Sequence, residues 1–355
     1  MDDINIITPI NQLGYGITGL NIVNSFHKDR FRVALWVIGQ PEAPPEFHPM
    51  IRQCLDNSKM PNFDAPCIRI WHQFDMSHFT GKGLKIGFPI FELDTFTEQE
   101  KHHLSSLDKI FVCSEWAKTI LKENGIKVDI HVIPLGVDSD TFIRSAFTRK
   151  STIFFNCGKW EKRKGHDLLP EIFSEAFNQE DDVELWMMCE NPFFSPEENQ
   201  DWIDSYKRSG LGDKIRLIPR QQSQKEVYNI MKQTDCGVFP SRAEGWNLEL
   251  LEMMACGKHV IATNYSAHTQ FCNKDNCRLV EVDNLEEARD DKWFFGDGNW
   301  ASIKESQTDQ IVSYMREIHS LKQQEALKIN EAGLETAKKF SWANTTQEII
   351  NALSA

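Results

Sequence analysis

Short apolar runs alternate with stretches whose apolar residues recur at helical spacing through most of this chain. In the first half, the short runs predict buried strands and the stretches between them predict helices. The predicted strands lie at residues 4–8, 31–38, 67–71, 84–88, 109–113 and 130–133. This alternation predicts a mainly parallel sheet with helices on both faces.

The same alternation starts again in the second half and predicts a second parallel sheet. Its predicted strands lie at residues 152–157, 184–188, 215–218, 236–239 and 278–282. Helices are predicted from about residue 308 to 339 and again at 342–353. The polar, irregular residues 142–150 indicate a linker, and a chain of 355 residues accommodates two domains of ordinary size.

Two segments depart from this alternation. Residues 40–66 are rich in proline, and we predict a long excursion or a solvated loop there. Residues 293–300 form an aromatic, glycine-rich insertion between the last predicted strand and the C-terminal helices. Neither segment fits the repeating pattern of strand and helix that predicts the two sheets.

The charge and cysteine content disfavour several functional classes. A formal net charge of −13 argues against general nucleic-acid binding. The nine cysteines include no Cys-x-x-Cys pair, which indicates reduced cytosolic thiols rather than disulfides or a zinc site. The acidic N-terminus lacks a signal-peptide pattern, and the apolar run 33–38 is too short to span a membrane. We therefore predict a cytoplasmic protein without a transmembrane segment.

Candidate chemistry concentrates where the predicted strand 236–239 leads into a helix. Asn247 is a good N-cap, apolar residues follow at helical spacing, and Gly257 ends the helix. Glu244 therefore lies on the strand-to-helix loop, and Glu252 lies in the second helical turn. Such loops line the ligand crevice of parallel sheets, and a helix start favours phosphate. Because carboxylates accept hydrogen bonds from vicinal hydroxyls, this site suits a phosphorylated ligand rich in hydroxyls. The alternative is that Glu252 is a solvated helix residue.

A Gly-x-Gly-x-x-Gly pattern, formed by Gly14, Gly16 and Gly19, follows the first predicted strand as a flexible loop. The pattern matches the dinucleotide fingerprint of dehydrogenases. That fingerprint requires an acidic residue at the end of the next strand, but here Glu42 lies beyond Pro41. We therefore predict close backbone approach to a polar ligand that is not a nicotinamide, with a simple tight turn as the alternative.

A basic loop follows the first predicted strand of the second half, in an otherwise acidic protein. Lys159 and Lys164 lie at the predicted carboxyl edge of the sheet, where they would neutralise a diphosphate. The alternative is a solvated charge run, and we expect the loop to be exposed. Asp138-Ser139-Asp140 resembles a metal-binding motif, but without further oxygen ligands it indicates a turn. No metal site is predicted.

Five motifs in sequence order resemble the family 4 glycosyltransferases, and the resemblance covers nearly the whole chain. Glu244 and Glu252 match the family's Glu-x(7)-Glu pair. Lys159 and Lys164, with their flanking glycines, match its Gly-Arg-x(4)-Lys-Gly loop. The other matching segments are residues 111–116, 133–138 and 340–342. Each motif alone is moderately specific, but five in the right order are a strong indication.

The resemblance implies an α/β fold of the GT-B type, with two Rossmann-like domains facing each other across a cleft. The N-terminal domain would comprise residues 1–145, with a C-terminal helix at about 341–355 crossing back onto it, and the donor-binding domain would comprise residues 146–340. The implied activity is metal-independent, retaining transfer of a sugar from a nucleotide-diphosphate sugar to a hydroxyl acceptor. That acceptor would be a glycan, a lipid-linked molecule or a protein, and no cofactor is implied.

The resemblance also assigns roles to individual residues. Lys159 and Lys164 would hold the donor diphosphate, Glu252 the ribose diol and Glu244 the hydroxyls of the donor sugar. The lysines would thereby stabilise the leaving group without a metal ion. Backbone groups would contact the donor at two places: Trp246, Asn247 and Leu248 in the second domain, and Gly14, Gly16 and Gly19 in the first.

Three departures from the family pattern change this assignment. Lys159 replaces the usual arginine and loses its bidentate fork. The usual Gly-Gly-x-x-Glu segment reads Ser266-Ala267-His268-Thr269-Gln270, so the family's sugar preference does not carry over. Residues 88–94 lack the histidine that many members carry after a first-domain strand. Glu92 is a candidate for that catalytic position, and His72 is a second candidate that we rank lower.

Other functions on the same fold stay open on the sequence alone. A nucleotide-sugar epimerase or hydrolase would act on the donor without an acceptor. A non-catalytic nucleotide-sugar-binding subunit would bind the donor without turnover, although the presence of both glutamates and both lysines argues against it. A transferase acting on DNA bases is disfavoured by the net charge of −13.

Overall fold

The computed structural model describes residues 2–354, which divide into two compact units. One unit comprises Met1–Gly136 together with Phe340–Ala355, and the other comprises Val137–Lys339. Met1 and Ala355, at the outer ends of the predicted domain ranges, lie outside the described residues. The first unit is therefore built from two segments that are far apart in the sequence.

The first unit contains a parallel sheet of six strands in the order β2-β1-β3-β4-β5-β6. Its strands are β1 (Asp3–Thr8), β2 (Arg32–Val37), β3 (Cys67–Arg69), β4 (Lys85–Gly87), β5 (Lys109–Val112) and β6 (Asp129–Val132). All six predicted strands are confirmed. The chain moves outward on one side of β1 and then on the other, so the carboxyl ends of β1 and β3 flank the switch point where ligand crevices form.

Five helices belong to this unit: α1 (Gly14–Lys28), α2 (His48–Asn57), α3 (Glu98–Ser105), α4 (Glu115–Glu123) and α11 (Trp342–Ser354). The prediction of a loop at residues 40–66 is wrong for α2. Met50, Ile51 and Cys54 are buried and share one helical face, which packs α2 against the unit. The prolines that obscured this pattern precede the helix or occupy its first turn, where a missing N–H costs nothing.

The last helix, α11, is bound to the first unit at several points. Thr345 Oγ1 donates to the carbonyl of Pro134 at 2.8 Å, and Lys109 Nζ donates to the carbonyl of Ala352 at 2.8 Å. Gly136 lies so close to the backbone of Trp342 that an added Cβ would fall 2.2 Å from the Trp342 nitrogen. The helix is therefore an integral part of this unit rather than a loose tail.

The second unit contains another parallel sheet of six strands, in the order β12-β11-β10-β7-β8-β9. Its strands are β7 (Thr152–Cys157), β8 (Val183–Met188), β9 (Ile215–Leu217), β10 (Cys236–Phe239), β11 (His259–Thr263) and β12 (Arg278–Val280). Here the switch point lies between β7 and β10. The two six-stranded parallel sheets confirm the predicted α/β class with two Rossmann-like domains.

Helices cover the second sheet, with a closely packed core beneath them. They are α5 (Leu169–Ala176), α6 (Pro196–Arg208), α7 (Gln224–Met231), α8 (Leu248–Ala255), α9 (Glu305–Gln323) and α10 (Glu331–Lys339). Phe154, Leu185 and Val238 from the strands are fully buried together with Phe173 of α5 and Ile311 of α9. This core fixes the strand ends from which the candidate site projects.

The aromatic, glycine-rich insertion at residues 293–300 lies in the turn and second strand of an antiparallel hairpin, which consists of β13 (Leu285–Arg289) and β14 (Phe295–Ala301). Gly296 and Gly298 adopt positive φ angles of 102° and 93°, which explains why glycine occurs at these two positions.

Within residues 2–354, none of the helices combines the length and the apolar character needed to cross a bilayer.

Candidate functional site

The loop between β10 and α8 has the predicted cap geometry. Asn247 is the N-cap of α8, and its Oδ1 accepts a hydrogen bond from the Leu250 N–H at 3.1 Å. Its φ of 83° lies in the left-handed region, which asparagine tolerates better than other residues with a side chain. Gly257 follows the end of the helix with φ of 73°. The predicted start and end of this helix are confirmed.

His268, in the short turn Ser266–Gln270, holds the Asn247 side chain in place. Its Nδ1 lies 3.0 Å from the Thr263 carbonyl, which can only accept, so Nδ1 carries the proton. His268 Nε2 therefore accepts from the Asn247 amide at 2.9 Å. This assignment agrees with the Asn247 Oδ1 acting as an acceptor in the cap. Burial lowers the pKa of His268, so the ring stays neutral in this role.

Glu244 is almost fully buried at the end of β10, and both of its carboxylate oxygens are engaged. Oε1 accepts from Lys164 Nζ at 2.9 Å and from the Ser241 hydroxyl at 2.8 Å, while Oε2 accepts from Arg163 Nη1 at 2.8 Å. The backbone N–H of Glu244 donates to Ser266 Oγ at 2.8 Å. Glu244 thus joins the β10 loop to the basic loop that follows β7, across the switch point of the second sheet.

Glu161 is the second carboxylate of this cluster. Arg163 Nη2 lies 2.6 Å and Lys159 Nζ 3.0 Å from its two oxygens. The expectation of an exposed basic loop is wrong: Glu161, Arg163 and Lys164 are buried, and Lys159 keeps 32% of its side chain exposed. The reason is that the loop carries its own counterion, which allows its cations to pack inside. We call these five residues (Lys159, Glu161, Arg163, Lys164 and Glu244) the switch-point cluster.

The electrostatics of the cluster keep its members ionised at neutral pH. Burial alone would raise the pKa of Glu161, but Arg163 and Lys159 outweigh it and hold the pKa at about 2. Burial likewise opposes ionisation of Glu244, and Lys164 and Arg163 bring its pKa below the usual range. Burial would lower the pKa of Lys164, but Glu244 raises it above the usual value. Three cations face two carboxylates, which leaves one positive charge uncompensated within the cluster.

His166 fixes the shape of the basic loop from beneath. Its Nδ1 accepts from the Glu161 N–H at 3.3 Å, and its Nε2 donates to Asn156 Oδ1 at 2.9 Å. Asn156 in turn donates to the carbonyl of Val238 at 2.6 Å, which ties β7 to β10. Burial lowers the pKa of His166 to about 3, so this neutral histidine has a structural role.

Glu252 differs from the other two carboxylates because it has no counterion. It lies in the second turn of α8, is 6% exposed, and burial raises its pKa well above the usual 4.5, with smaller contributions from Glu249 and Asp138. Among the described residues 2–354, none donates a hydrogen bond to its carboxyl group. A buried carboxyl group without an internal partner is costly unless a ligand supplies the hydrogen bonds.

The predicted backbone positions around α8 are also buried. The Trp246 ring packs against Phe271 with centroids 4.8 Å apart, and Leu248 is the first residue of the helix.

Asp138 accepts from the Asp140 N–H and from the Thr141 hydroxyl, which confirms the predicted turn. Among residues 2–354, no group of three or more His, Cys, Asp or Glu side chains is arranged to hold a metal ion.

The predicted flexible glycine loop of the first unit is wrong, because Gly14, Gly16 and Gly19 all lie within α1. A Cβ on Gly16 would fall 2.3 Å from the Asn11 nitrogen, and one on Gly19 would fall 2.5 Å from the Pro9 carbonyl. These two glycines therefore permit close packing of the helix against the end of β1. A Cβ on Gly14 would meet nothing within 4 Å, so only Gly14 keeps an open surface at the helix start.

Glu92 and His72 lie in the first unit, and both are close to the side chain of Tyr15. The Tyr15 hydroxyl donates to the Ile90 carbonyl at 2.7 Å and accepts from the Ile90 N–H at 3.0 Å. The Tyr15 and His72 rings lie 4.7 Å apart. Burial raises the pKa of Tyr15, and the nearby Glu92 carboxylate raises it further. Both candidates thus lie near the Tyr15 phenol, at the carboxyl ends of β3 and β4.

Sequence reasoning missed Arg163 and Glu161, which complete the switch-point cluster, and Ser241, which donates to Glu244 Oε1. The run Glu161-Lys162-Arg163-Lys164 signals charge, but it does not show which side chains point inward. The pairing could have been suggested by the buried Glu244, since a buried carboxylate requires a partner.

Comparison with known sequences adds an independent result. Residues 151–291 match the family described as "Glycosyl transferases group 1". The chain is also similar to mannosylfructose-phosphate synthase of Agrobacterium fabrum, with 26% identity over 211 residues. That alignment covers 52% of this chain and 46% of the relative, so the chain spans about half the length of the curated relative it matches.

Solved structures resemble the whole chain. Sucrose-phosphate synthase from Thermosynechococcus elongatus superposes with a TM-score of 0.73 at 13% identity, covering 100% of this chain and 98% of that one. Anabaena HepE, in complex with UDP and glucose, superposes with a TM-score of 0.72 at 14% identity, covering both chains completely. At these identities the likeness establishes the fold alone, and it confirms the predicted GT-B class with two Rossmann-like domains.

Proposed function

We propose that this protein transfers a sugar from a nucleotide-diphosphate sugar to a hydroxyl group of an acceptor. The observation that carries the proposal is a pair of buried carboxyl groups beside the switch point of the second sheet. Glu244 is balanced by Lys164 and Arg163, whereas the Glu252 carboxyl accepts no hydrogen bond from any of the residues 2–354. One carboxylate belongs to a cationic cluster, and the other is open to a ligand.

Glu252 is the group that we assign to the ribose of the donor. A buried carboxyl group can accept hydrogen bonds from two vicinal hydroxyls, or donate one when it is protonated. An unmade hydrogen bond of a buried polar group costs about 1–3 kcal/mol, which a bound ribose would recover. A raised pKa, as Glu252 has, is expected for a buried carboxyl group in a ligand-binding site when the ligand is absent.

The donor diphosphate would lie beside the switch-point cluster and the start of α8. Lys159 is the most accessible cation, since 32% of its side chain is exposed, and it can exchange Glu161 for a phosphate. The start of α8 around Trp246, Asn247 and Leu248 adds the positive end of the helix dipole. We propose that cations and helix start together replace a divalent metal ion.

Glu244 would act chiefly through the cations that it holds. Its Oε1 accepts two hydrogen bonds, while Oε2 accepts one and keeps one lone pair for a hydroxyl of the donor sugar. Because Glu244 orients both Lys164 and Arg163, it links sugar recognition to stabilisation of the departing phosphate. This arrangement places positive charge where negative charge develops in the transition state.

We further propose that the anomeric configuration is retained. Double displacement requires a carboxylate nucleophile close beneath the anomeric carbon, but Glu244 is held by cations and Glu252 is assigned to the ribose. A front-side course needs no such group. The bond between the anomeric carbon and the phosphate oxygen breaks, the acceptor oxygen bonds to the same face, and the departing phosphate oxygen takes the acceptor proton. Glu92, or less favourably His72, is the candidate base for the competing inverting course.

A donor screen tests the proposal first. HepE is described in complexes with UDP, glucose and UDP-glucose, so UDP-glucose is the first probe, followed by GDP- and ADP-sugars. A bound donor should raise the melting temperature by mass action, and the Glu252→Gln variant should lose this response to the sugar nucleotide and to the bare nucleotide. If no nucleotide or nucleotide sugar shifts the wild-type transition, the proposal fails.

Product analysis then tests the reaction and its stereochemistry. With an α-linked donor and a panel of hydroxyl acceptors, proton NMR should show an α-linked glycoside as the first product. Release of free sugar without glycoside would indicate hydrolysis instead. A β-linked product would refute retention and would move the role of base to Glu92.

A further inference from the structure

The β13–β14 hairpin has no part in the proposed transfer, yet its turn closes one side of a cavity in the second unit. The cavity has a volume of about 390 Å³, and its other walls are α6 and the outer side of the basic loop. We call it the hairpin pocket. Its volume falls within the range of about 300–1,000 Å³ that is typical of small-molecule sites.

One face of α6 supplies a wall of the hairpin pocket. Glu198, Asp201, Trp202 and Ser205 follow one another at intervals of three, one and three residues, which places all four side chains on the same side of the helix. The face therefore combines an aromatic ring with a hydroxyl and two carboxylates.

Aromatic rings dominate the apolar part of the pocket. Phe194, Trp202 and Trp293 line it, and Trp293 is 46% exposed although it is a large apolar side chain. Phe193 is 53% exposed and contacts the Trp293 ring at 6.2 Å between centroids. The faces of such rings carry partial negative charge and attract polarised C–H groups. The cavity wall therefore includes one exposed ring, that of Trp293, and a second exposed ring, that of Phe193, packs against it.

Most of the charged side chains at the pocket already form ion pairs or hydrogen bonds within the protein. Glu161 is paired with Arg163, Asp167 with Arg242, and Glu198 with Lys292 at 2.6 Å. Asp290 accepts from three successive backbone N–H groups, those of residues 292–294. A cationic ligand would meet Lys292, which already lies over the Phe194 ring at 5.3 Å. An anionic ligand would meet the surrounding carboxylates. The pocket therefore suits a neutral ligand.

Polar groups that are still available define the ligand further. Among the described residues, Asp201 and Ser205 have no hydrogen-bond partner for their side chains, and both are exposed at the pocket. Lys162, on the rim, is exposed as well. A carboxylate, a hydroxyl and an ammonium beside aromatic faces match a ligand that has many hydroxyls on its edges and C–H groups on its faces.

We propose that the hairpin pocket binds a neutral carbohydrate, with a sugar ring stacked on Trp293 and its hydroxyls bound by Asp201 and Ser205. The site is separate from the donor site: Glu252 and Glu244 do not line it, although Glu161 contacts both the pocket and the switch-point cluster. The proposal follows from the chemistry of the pocket and does not require that the protein be a transferase.

An array of neutral hexose and N-acetylhexosamine oligosaccharides, followed by saturation-transfer NMR on the positives, tests this assignment with the full chain. Wild-type protein should bind at least one oligosaccharide saturably. Trp293→Ala should weaken that affinity about tenfold, because it removes the stacking ring, and Asp201→Asn should weaken it several-fold. UDP affinity should be unchanged in both variants, which separates this pocket from the donor site.

Two matched variants serve as controls. Phe295 is a second exposed aromatic of the same hairpin but does not line the pocket, and Asp204 is a second carboxylate of α6 outside it. Phe295→Ala and Asp204→Asn should retain wild-type affinity for the oligosaccharide. The proposal is overturned if the array shows no saturable binding, or if the control substitutions weaken binding as much as Trp293→Ala. It is also overturned if oligolysine, a cationic ligand, competes with the oligosaccharide for the same residues.

Discussion

Lys164 Nζ lies 2.9 Å from Oε1 of Glu244, and both side chains are buried beneath the carboxyl edge of the second sheet. A pair in this position is part of the folded core as well as part of the site. Lys159 differs, because its bond to Glu161 leaves about a third of the lysine side chain in solvent. The two lysines that match one family motif should therefore contribute differently to the stability of the fold.

This difference predicts a split in stability. Lys164→Ala should lower the free energy of unfolding by about 3 kcal/mol, since it removes the buried cation that donates to Oε1 of the Glu244 carboxylate. Lys159→Ala should lower it by less than about 1 kcal/mol, as expected for a partly exposed pair. Urea unfolding of the two variants beside wild type measures both values. Equal losses would show that Lys164 is not buried as described.

Glu252 should make the protein less stable as the pH rises. Its pKa in the folded state is raised well above the 4.5 expected of the unfolded chain. Above about pH 4.5 the unfolded chain releases this proton while the folded protein retains it, so the free energy of unfolding falls until the folded-state pKa is reached. Glu252→Gln should match wild type near pH 4 and become the more stable protein toward pH 7.

Glu161→Gln provides the control with the opposite sign. The pKa of Glu161 is held at about 2, so its stabilising effect is complete above about pH 4.5 and is lost as the pH falls toward 2. The Gln variant should therefore be less stable than wild type at pH 7, and the difference should vanish in acid. Thermal unfolding from pH 8 down to about pH 2 measures both variants. Parallel pH profiles for the two would contradict the assignment.

Asn247 combines a cap with left-handed backbone geometry, and two substitutions separate these contributions. Asn247→Ala should lower the free energy of unfolding by about 2 kcal/mol, because it loses the cap and places a Cβ in the left-handed region. Asn247→Gly loses the cap and the bond to His268 as the alanine variant does, but it adopts that backbone freely, so it should be the more stable of the two variants by about 1 kcal/mol. Urea titration distinguishes them, and a Gly variant as unstable as the Ala variant would refute this geometry.

The three glycines of α1 should respond differently to alanine. Gly16→Ala and Gly19→Ala should each destabilise the protein by about 1–3 kcal/mol, because the new methyl group meets backbone atoms at less than 3 Å. Gly14→Ala meets nothing within 4 Å and should stabilise the helix by up to about 1 kcal/mol. Differential scanning calorimetry provides the comparison. Similar effects at all three positions would restore the original hypothesis of a flexible loop.

Much of the fold was predictable because parallel strands buried on both faces read as nearly continuous apolar runs. The strands at both switch points were predicted for this reason. The helix α2 was missed because His48-Pro49 at its start resembles a loop, and its buried face contains only Met50, Ile51 and Cys54. Residues 293–300 of the β13–β14 hairpin were identified as an insertion, but the aromatic run 293–295 and the two glycines after it give no clear strand pattern.

The candidate site was only partly predictable. The spacing of Glu244 and Glu252 identified both carboxyl groups, and the helix start at Asn247 follows from local rules. Partners of Glu244 come from the loop after β7 and from the turn at Ser266, which are adjacent only after the sheet has formed. Local sequence patterns do not predict contacts between segments that are distant in the chain. The buried orientation of the Arg163 side chain could therefore not be predicted from the residues beside it in the sequence.

The attachment of α11 to the first unit has a consequence for synthesis on the ribosome. Nascent domains generally fold as units from the N-terminus. Here the first unit cannot bury the contacts around Pro134, Gly136 and Lys109 until residues 342–352 have emerged. The second unit is continuous in sequence and is complete before those residues are made. The domain that is started first is therefore finished last, and its unfilled surface stays exposed to chaperones while the other domain is being translated.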